Sequence, residues 1–316
     1  MRRLSSFKTT LLLVLVACSA LSAQEPLKKQ KDSGYTLNVD VNLVVLHISV
    51  FDDKENLVLN LKKNDFSLLE DKIPQEIGLF KLEDVPVSIG LVIDNSGSMR
   101  TKRERVNKAA LTFAKTSNPE DEIFLVNFND QAFVDQDFTK NRQDLTEALS
   151  TIDARGGTAL HDAVYLSLEH LKKEGKEDKK ALLLITDGED RDSRYKFESV
   201  LEVARESPAS IYVVGLFDKE DDQTRAQKRA IKNLKELAMD TGGKHYFPES
   251  IDEVEAICNE IAHEIRNQYT LGYRPSNVRK DGTWRNISIR IDDAGKSKKL
   301  IARTKRGYYA PIEGGS

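Results

Sequence analysis

The sequence is poor in several features that specialised chains display. Its 316 residues include only two cysteines, Cys18 and Cys258, which excludes a disulfide-dense scaffold. The formal net charge of −3 leaves no basic excess of the kind that nucleic-acid-binding domains carry. The GxSxG, HExxH, Walker and CxxC motifs are absent from the sequence. These gaps argue against a nucleic-acid partner and against the hydrolase and redox classes that those motifs mark.

The composition is that of an ordinary globular chain. Charged residues make up 31% of the sequence and hydrophobic residues 39%, which is enough apolar content for a packed core. This balance rules out a mostly disordered chain, a collagen-like chain and a multi-span membrane protein. At roughly 100–200 residues per domain, we expect one large or two modest domains.

The first 23 residues have the plan of a secretory signal peptide. Three basic residues precede a short uncharged apolar run at 11–17, and small residues continue to Ala23. The apolar run is shorter than the roughly 20 residues that a membrane span needs. We therefore expect an exported protein that is periplasmic, envelope-anchored or secreted. The polar residues 24–34 are then a flexible linker.

Two outcomes of signal cleavage remain open. The segment Leu15-Val16-Ala17-Cys18 resembles a bacterial lipobox, in which Cys18 becomes a lipidated N-terminus and the only contact with a membrane. Cleavage after Ala23 would instead release a soluble protein. In both cases Cys258 is the one remaining thiol, and its apolar helical neighbours predict that it is buried.

Sequence patterns typical of β-strands occur at both ends of the remaining chain. Residues 35–83 and 269–311 contain β-branched and apolar runs separated by turns. Within them we predict a short strand over 57–61, a turn at Pro74 and a single strand over 300–310. Neither segment buries enough apolar surface alone, so we expect the two to pair as one small β domain. Two separate β appendages are the alternative.

Residues 84–268, between these segments, alternate strands with helices. The run 87–94 is continuously apolar, as in strands that are buried on both faces, and similar runs lie at 122–128, 181–187 and 211–217. Helical periodicity separates these runs. This pattern predicts an α/β class domain with a Rossmann-like, doubly wound sheet.

Polar side chains follow the first of these buried strands. Asp94, Ser96 and Ser98 alternate on a short loop before a helix, and Gly97 permits the bend. In an open α/β sheet, ligands bind at the carboxyl ends of the strands. The alternation allows the carboxylate and both hydroxyls to point toward one centre.

Two further loops fall at the same predicted edge of the sheet. Thr158 follows two glycines ahead of a helix, and Asp187 ends the strand over 181–187. With Asp94, Ser96 and Ser98 they make an oxygen-only set of side chains on surface loops. Such a set suits a hard cation, Mg²⁺ first, with Mn²⁺ or Ca²⁺ as alternatives. The alternative is that these residues have only structural roles, as helix caps and in turns.

This arrangement resembles the von Willebrand factor A domain with a metal-ion-dependent adhesion site. The family motif is D-x-S-x-S followed by a distant Thr and a distant Asp, and it is present here as 94–98, Thr158 and Asp187. The resemblance covers about residues 84–268. With its flanking β segments and export signal, the whole chain is also similar to bacterial exported proteins that contain such a domain.

The resemblance implies a role for each residue of the set. Ser96 and Ser98 would ligate the cation directly, and Thr158 would join them in the ligand-ready state. Asp94 and Asp187 would act through water or as hydrogen-bond acceptors. The open coordination position would accept an Asp or Glu carboxylate of a protein partner.

We therefore expect an exported, metal-dependent protein-binding module and not an enzyme. One alternative is an envelope assembly or scaffolding factor in which the metal is structural. Another is an uncharacterised hydrolase. Asp94 after a strand is similar to the nucleophile of haloacid-dehalogenase-type phosphatases, but those enzymes carry a second Asp where this chain has Ser96.

Other polar residues near the set give weaker signals. Glu189, Asp190 and Asp192 could hold a second cation, but a solvated acidic loop is the better interpretation. His161 starts a helix near Thr158 and has no partner at a metal-ligand spacing. We expect the acidic residues to form a solvated loop and His161 to be structural or exposed.

Overall fold

The computed structural model describes residues 43–188, 190–217, 224–292 and 300–313. The predicted signal peptide, the linker and Cys18 lie outside these residues. None of the helices in the described ranges combines the length and apolar character needed to cross a bilayer. The described residues belong to one compact unit.

The strands and helices follow the alternation that the sequence predicts. The strands are β1 (Val44–Phe51), β2 (Phe66–Glu70), β3 (Ile73–Gln75), β4 (Ile77–Leu82), β5 (Val87–Asp94), β6 (Glu122–Phe128), β7 (Ala132–Thr139), β8 (Lys179–Thr186), β9 (Ser210–Gly215), β10 (His245–Tyr246), β11 (Tyr269–Tyr273), β12 (Trp284–Ile291), β13 (Ile301–Arg303) and β14 (Gly307–Tyr309). The helices are α1 (Arg103–Thr116), α2 (Arg142–Thr151), α3 (Leu160–Glu174), α4 (Phe197–Glu206), α5 (Arg225–Thr241) and α6 (Val254–Arg266).

A central sheet in the order β10-β9-β8-β5-β6-β7 forms the middle layer. Its strands are parallel except β7, which pairs with β6 in the antiparallel sense at the edge. Every residue of β5 is buried, because helices cover both faces. Helices α1, α2 and α6 pack on one face and α3, α4 and α5 on the other. The predicted α/β, Rossmann-like fold is confirmed.

Strands from the two ends of the chain pair with each other outside the central sheet. One sheet has the order β13-β1-β11-β4 and the other β14-β12-β2-β3, so each combines N-terminal and C-terminal strands. Both sheets contribute to one buried cluster that includes Ile48, Leu68, Tyr269 and Ile287. That these two end segments form a domain separate from the α/β layer stays a prediction.

Two local predictions in the N-terminal segment are wrong, and a third is wrong in the C-terminal segment. The turn before β3 lies at Asp71 and Lys72, which both have positive φ. Pro74 is instead part of edge strand β3. An edge strand tolerates proline where its nitrogen faces away from the neighbouring strand, because no hydrogen bond of the sheet is lost there. Residues 57–61 form a single β-bridge with Phe51 instead of a strand.

The segment 300–310 forms two strands in different sheets instead of one. Strand β13 pairs with β1, and β14 pairs with β12. Between them the chain packs against Gly242, at φ 83°, where a side chain would collide with the backbone of Thr304 and Lys305. The guanidinium of Arg306 donates to Asp240 at 2.8 Å. These contacts with α5 redirect the chain from one sheet to the other.

The thiol Cys258 is buried on α6, as predicted. It packs among the apolar side chains between α6 and the central sheet. Burial raises the pKa of this thiol to about 12. The thiol is therefore an inert part of the core.

Candidate functional site

The site begins where two adjacent parallel strands end. Strand β5 ends at Asp94 and strand β8 at Thr186, and the two strands pair along their length. The loops that follow therefore leave the sheet side by side. A short 3-10 turn over Gly97–Thr101 then leads the first loop into α1.

Three of the predicted residues on these loops form one hydrogen-bonded chain. The hydroxyl oxygens of Ser96 and Ser98 lie 3.1 Å apart. The Ser98 hydroxyl donates to Oδ1 of Asp187 at 2.8 Å. The two loops therefore meet at these side chains, as the sequence predicts.

Asp94 lies beneath this chain and not on the exposed surface that we expected. It is 1% exposed, its Oδ1 accepts the backbone N–H of Ser96 at 2.9 Å, and its Oδ2 accepts the hydroxyl of Thr186 at 2.6 Å. Burial raises the pKa of Asp94, while the hydrogen bonds from Ser96 and Thr186 oppose the rise. Asp94 thus orients the loop from below.

Thr158 reaches the same place from the loop before α3. The backbone N–H of Gly97 donates to the carbonyl of Gly156 at 3.1 Å, which joins this loop to the first. A side chain at Gly188 would lie 3.2 Å from the Thr158 hydroxyl and 3.6 Å from Oδ2 of Asp94. Glycine at this position therefore lets the three loops approach one another.

These side chains line one cavity of about 350 Å³. Ser96, Ser98, Thr158 and Asp187 contribute to its wall, and Asp94 supports it from below. The structure thus brings all five predicted residues together.

The sequence does not predict two charged side chains that line the cavity. The ammonium of Lys102 lies 2.5 Å from Oδ2 of Asp187 and 3.2 Å from the carbonyl oxygen of Leu216. Lys102 lies directly before α1, where a lysine ordinarily indicates solvated surface. Its only sequence signal is its position one helical turn beyond the Ser98 loop. Arg191 also lines the cavity.

Two acidic residues after Asp187 accept hydrogen bonds from the backbone around Thr158. Asp192 accepts the backbone N–H of Thr158 at 2.7 Å, and Asp190 accepts that of His161 at 3.0 Å. The carbonyl of Thr158 in turn accepts the backbone N–H groups of Arg191 and Asp192. Glu189 lies outside the described residues. The expected solvated loop fits Asp192, which is exposed, but Asp190 is more buried than expected, with 18% of its side chain exposed.

The donor set fits a hard divalent cation. Three hydroxyls and two carboxylates converge, with neither nitrogen nor sulfur ligands among them, and oxygen ligands are those that Mg²⁺ prefers. Among the described residues, no cluster of three or more His, Cys, Asp or Glu side chains has metal-binding geometry. A cation at this site would therefore depend on hydroxyl ligands.

Comparison with known proteins places this region in one domain family. The family model described as von Willebrand factor type A domain matches residues 89–189. Calcium-activated chloride channel regulator 1 of Mus musculus is 26% identical over 219 residues, 65% of this chain and 22% of that protein. An uncharacterized protein of Synechocystis is 31% identical over 109 residues, 33% of this chain and 26% of that protein.

A solved structure supports the fold. The von Willebrand factor type A structure from Catenulispora acidiphila matches with a TM-score of 0.51 at 14% identity, over 80% of this chain and 75% of that one. This likeness concerns the fold alone. The chain spans about a quarter of the length of the curated relatives it matches.

Proposed function

Because this chain contains a von Willebrand factor type A domain, we propose that it is a protein-binding module of the adhesion type. In this proposal the module captures an Asp or Glu carboxylate of a partner protein through a bound divalent cation. The observation that carries the proposal is the linked set of Ser96, Ser98 and Asp187 on converging loops. This set stands at the edge of the sheet where α/β proteins bind their ligands.

The residues divide into ligands and supports. The hydroxyls of Ser96, Ser98 and Thr158 would hold the cation. Asp94 and Asp187 fix the direction of those hydroxyls and of the loop by accepting hydrogen bonds. Bound Mg²⁺ supplies a concentrated positive charge with a coordination position that a carboxylate oxygen fills.

The charges around the cavity favour an acidic partner. Asp187 is already paired with Lys102, and the positive side chain of Arg191 lines the same cavity. A divalent cation held mainly by neutral hydroxyls keeps most of its charge, so an incoming carboxylate is attracted strongly. The cavity volume of about 350 Å³ lies at the lower end of the range for small-molecule pockets, which suits one acidic side chain better than a bulky cofactor.

The cation and the location are part of the same proposal. We take Mg²⁺ as the cation, with Mn²⁺ or Ca²⁺ as alternatives, because oxygen donors bind all three. Export through residues 1–23 would deliver the module to the periplasm, the envelope or the medium, and a lipid on Cys18 would anchor it.

The experiment compares capture of partners with and without the cation. The exported form of the chain is immobilised and exposed to envelope extract in Mg²⁺ and in chelator, with Asp94→Asn as the site variant. Lys108→Met is the matched control, because Lys108 pairs with Glu255 on the exposed side of α1. We expect a partner that wild type and control retain in Mg²⁺, that chelator or excess acetate releases, and that Asp94→Asn does not bind.

The alternatives give different results in the same experiment. For a scaffolding factor with a structural metal, chelator would lower the melting temperature but leave the partner bound. For a hydrolase, generic ester, phosphate or peptide substrates would be turned over. Retention of the same partner by wild type in chelator and by Asp94→Asn would contradict cation-bridged capture.

A further inference from the structure

Lys102 places an ammonium group inside the candidate metal site. Its Nζ lies 2.5 Å from Oδ2 of Asp187, and it also donates to the carbonyl oxygen of Leu216 at 3.2 Å. The Asp187 side chain is 2% exposed and that of Lys102 is 31% exposed. The pair therefore joins a buried carboxylate to a cation that reaches in from the solvent side.

Both oxygens of Asp187 are engaged by side chains of the protein. Oδ1 accepts the hydroxyl of Ser98, and Oδ2 accepts the ammonium of Lys102. A buried carboxylate without a compensating charge is strongly destabilising. In this arrangement, the charge of Asp187 is compensated without a metal ion.

We infer that Lys102 is a built-in counter-cation of the candidate metal site, which compensates Asp187 when no divalent cation is bound and opposes cation entry. The inference rests on the proposed function, because it concerns the affinity of the same site for its cation. Two positive charges that share one carboxylate repel each other, and the repulsion is stronger in a partly buried site than in water.

Two consequences follow from this arrangement. The domain folds without a divalent cation, because Lys102 replaces the missing charge next to Asp187. Cation and partner also bind cooperatively, because a partner carboxylate entering the cavity relieves the repulsion between the cation and Lys102. A binding module with this device holds its cation firmly only when an acidic partner is present.

The test uses Lys102→Met, with Lys102→Arg as the charge-conserving variant and Lys108→Met as the control at an exposed lysine on α1. We measure Mg²⁺ affinity by titration calorimetry and melting temperature in chelator and in saturating Mg²⁺. Lys102→Met should melt at a lower temperature in chelator, recover in Mg²⁺, and bind Mg²⁺ tighter by roughly tenfold or more. Lys102→Arg and Lys108→Met should bind Mg²⁺ as wild type does.

The outcomes separate this inference from the proposed function. Equal Mg²⁺ affinity in wild type and Lys102→Met would overturn the role of Lys102 and leave the metal site standing. Failure of Lys102→Met to fold even in saturating Mg²⁺ would also overturn it, because the cation should then replace the ammonium. Absence of Mg²⁺ binding in all four proteins would overturn the proposed function itself.

Discussion

The two edges of the central sheet use similar side chains for different purposes. At the amino edge, Ser88 donates to Glu122 at 2.6 Å and the ammonium of Lys179 donates to the carbonyl of Ile265. At the carboxyl edge, Ser96 and Ser98 lie in a chain that ends on Asp187 and faces a cavity. At the amino edge these groups have partners within the chain, whereas the hydroxyls at the carboxyl edge line a cavity.

A buried network beside the amino edge joins this region to strands from both ends of the chain. Glu264 on α6 is fully buried and accepts hydrogen bonds from Ser49, Tyr212 and Arg303. These partners come from β1, β9 and β13, so one carboxylate connects the central sheet to the strands of both chain ends. We therefore expect variants here to change the stability of the fold, and variants at the carboxyl edge to change cation binding.

The largest effect on stability is expected from Glu264→Ala. Removing the carboxylate would leave the partly buried guanidinium of Arg303 without its partner and should lower the free energy of unfolding by about 3 kcal/mol. Urea denaturation measures this loss. Glu260→Ala is the matched control on the same helix, because Glu260 pairs with Lys244 near the surface. A loss as small for Glu264→Ala as for the control would contradict the closed network.

Low pH should destabilise the fold through His47, which lies on β1 in one of the sheets built from both chain ends. Burial, with the nearby charge of Lys179, lowers the pKa of His47 from 6.5 to about 3. The pKa of His47 is lower in the folded protein than in the unfolded chain, so protons bind the unfolded state preferentially. The folded state therefore loses stability relative to the unfolded state as pH falls from 6.5 toward 3.

The variant His47→Gln isolates that contribution. Allowing for partial solvent screening, we expect wild type to lose roughly 1–2 kcal/mol more than the variant across this pH range. Urea denaturation at several pH values measures the difference, with the exposed His263→Gln as the control. Parallel pH profiles for wild type and His47→Gln would show that His47 does not titrate as described.

A smaller effect on stability, with a clear effect on the site, is expected for Asp192→Ala. Its carboxylate accepts the backbone N–H of Thr158 at 2.7 Å, and losing one such bond costs about 1 kcal/mol. Because Thr158 is then less well placed, Mg²⁺ affinity should fall several-fold, as calorimetry can measure. Asp192→Asn keeps an acceptor oxygen and should retain most of the affinity. Equal affinities in all three proteins would remove Asp192 from the support of the site.

A similar effect on stability, with none on the site, is expected for the tyrosine hydroxyls that join the C-terminal segment to Glu70. Tyr273 and Tyr308 donate to Oε2 of Glu70 at 2.6 and 2.8 Å. Tyr273→Phe should cost about 1 kcal/mol, and Tyr308→Phe less, because its ring is only partly buried. Mg²⁺ affinity should stay unchanged in both. A change of Mg²⁺ affinity would show that the strands of the chain ends are coupled to the carboxyl edge of the central sheet.

The sequence predicted the α/β layer well because its signals are local. A continuously apolar strand such as β5 is recognisable without knowledge of its neighbours, and the loop from Asp94 to Ser98 carries its alternation in consecutive residues. The position of Asp187 next to that loop followed from the rule that parallel strands share a carboxyl edge. Thr158 lies just before α3, the helix that leads back to the amino end of β8.

The features that the sequence did not predict depend on distant contacts. Lys102 resembles a surface lysine until Asp187 is placed beside it. Asp94 is buried because Thr186 and the other loops close over it, and no local pattern indicates that closure. The break between β13 and β14 likewise depends on contacts with Gly242 and Asp240. Each of these depends on chain segments that meet only in the folded protein.

The central claim is that the carboxyl edge binds a divalent cation through hydroxyls oriented by Asp94. Titration calorimetry with Mg²⁺ on wild type, Asp94→Ala and Thr158→Ala tests it most directly, with circular dichroism to verify that each protein is folded. We predict measurable binding by wild type, weaker binding by Thr158→Ala and none by Asp94→Ala. Equal Mg²⁺ affinity in wild type and folded Asp94→Ala would contradict the site and the binding mechanism built on it.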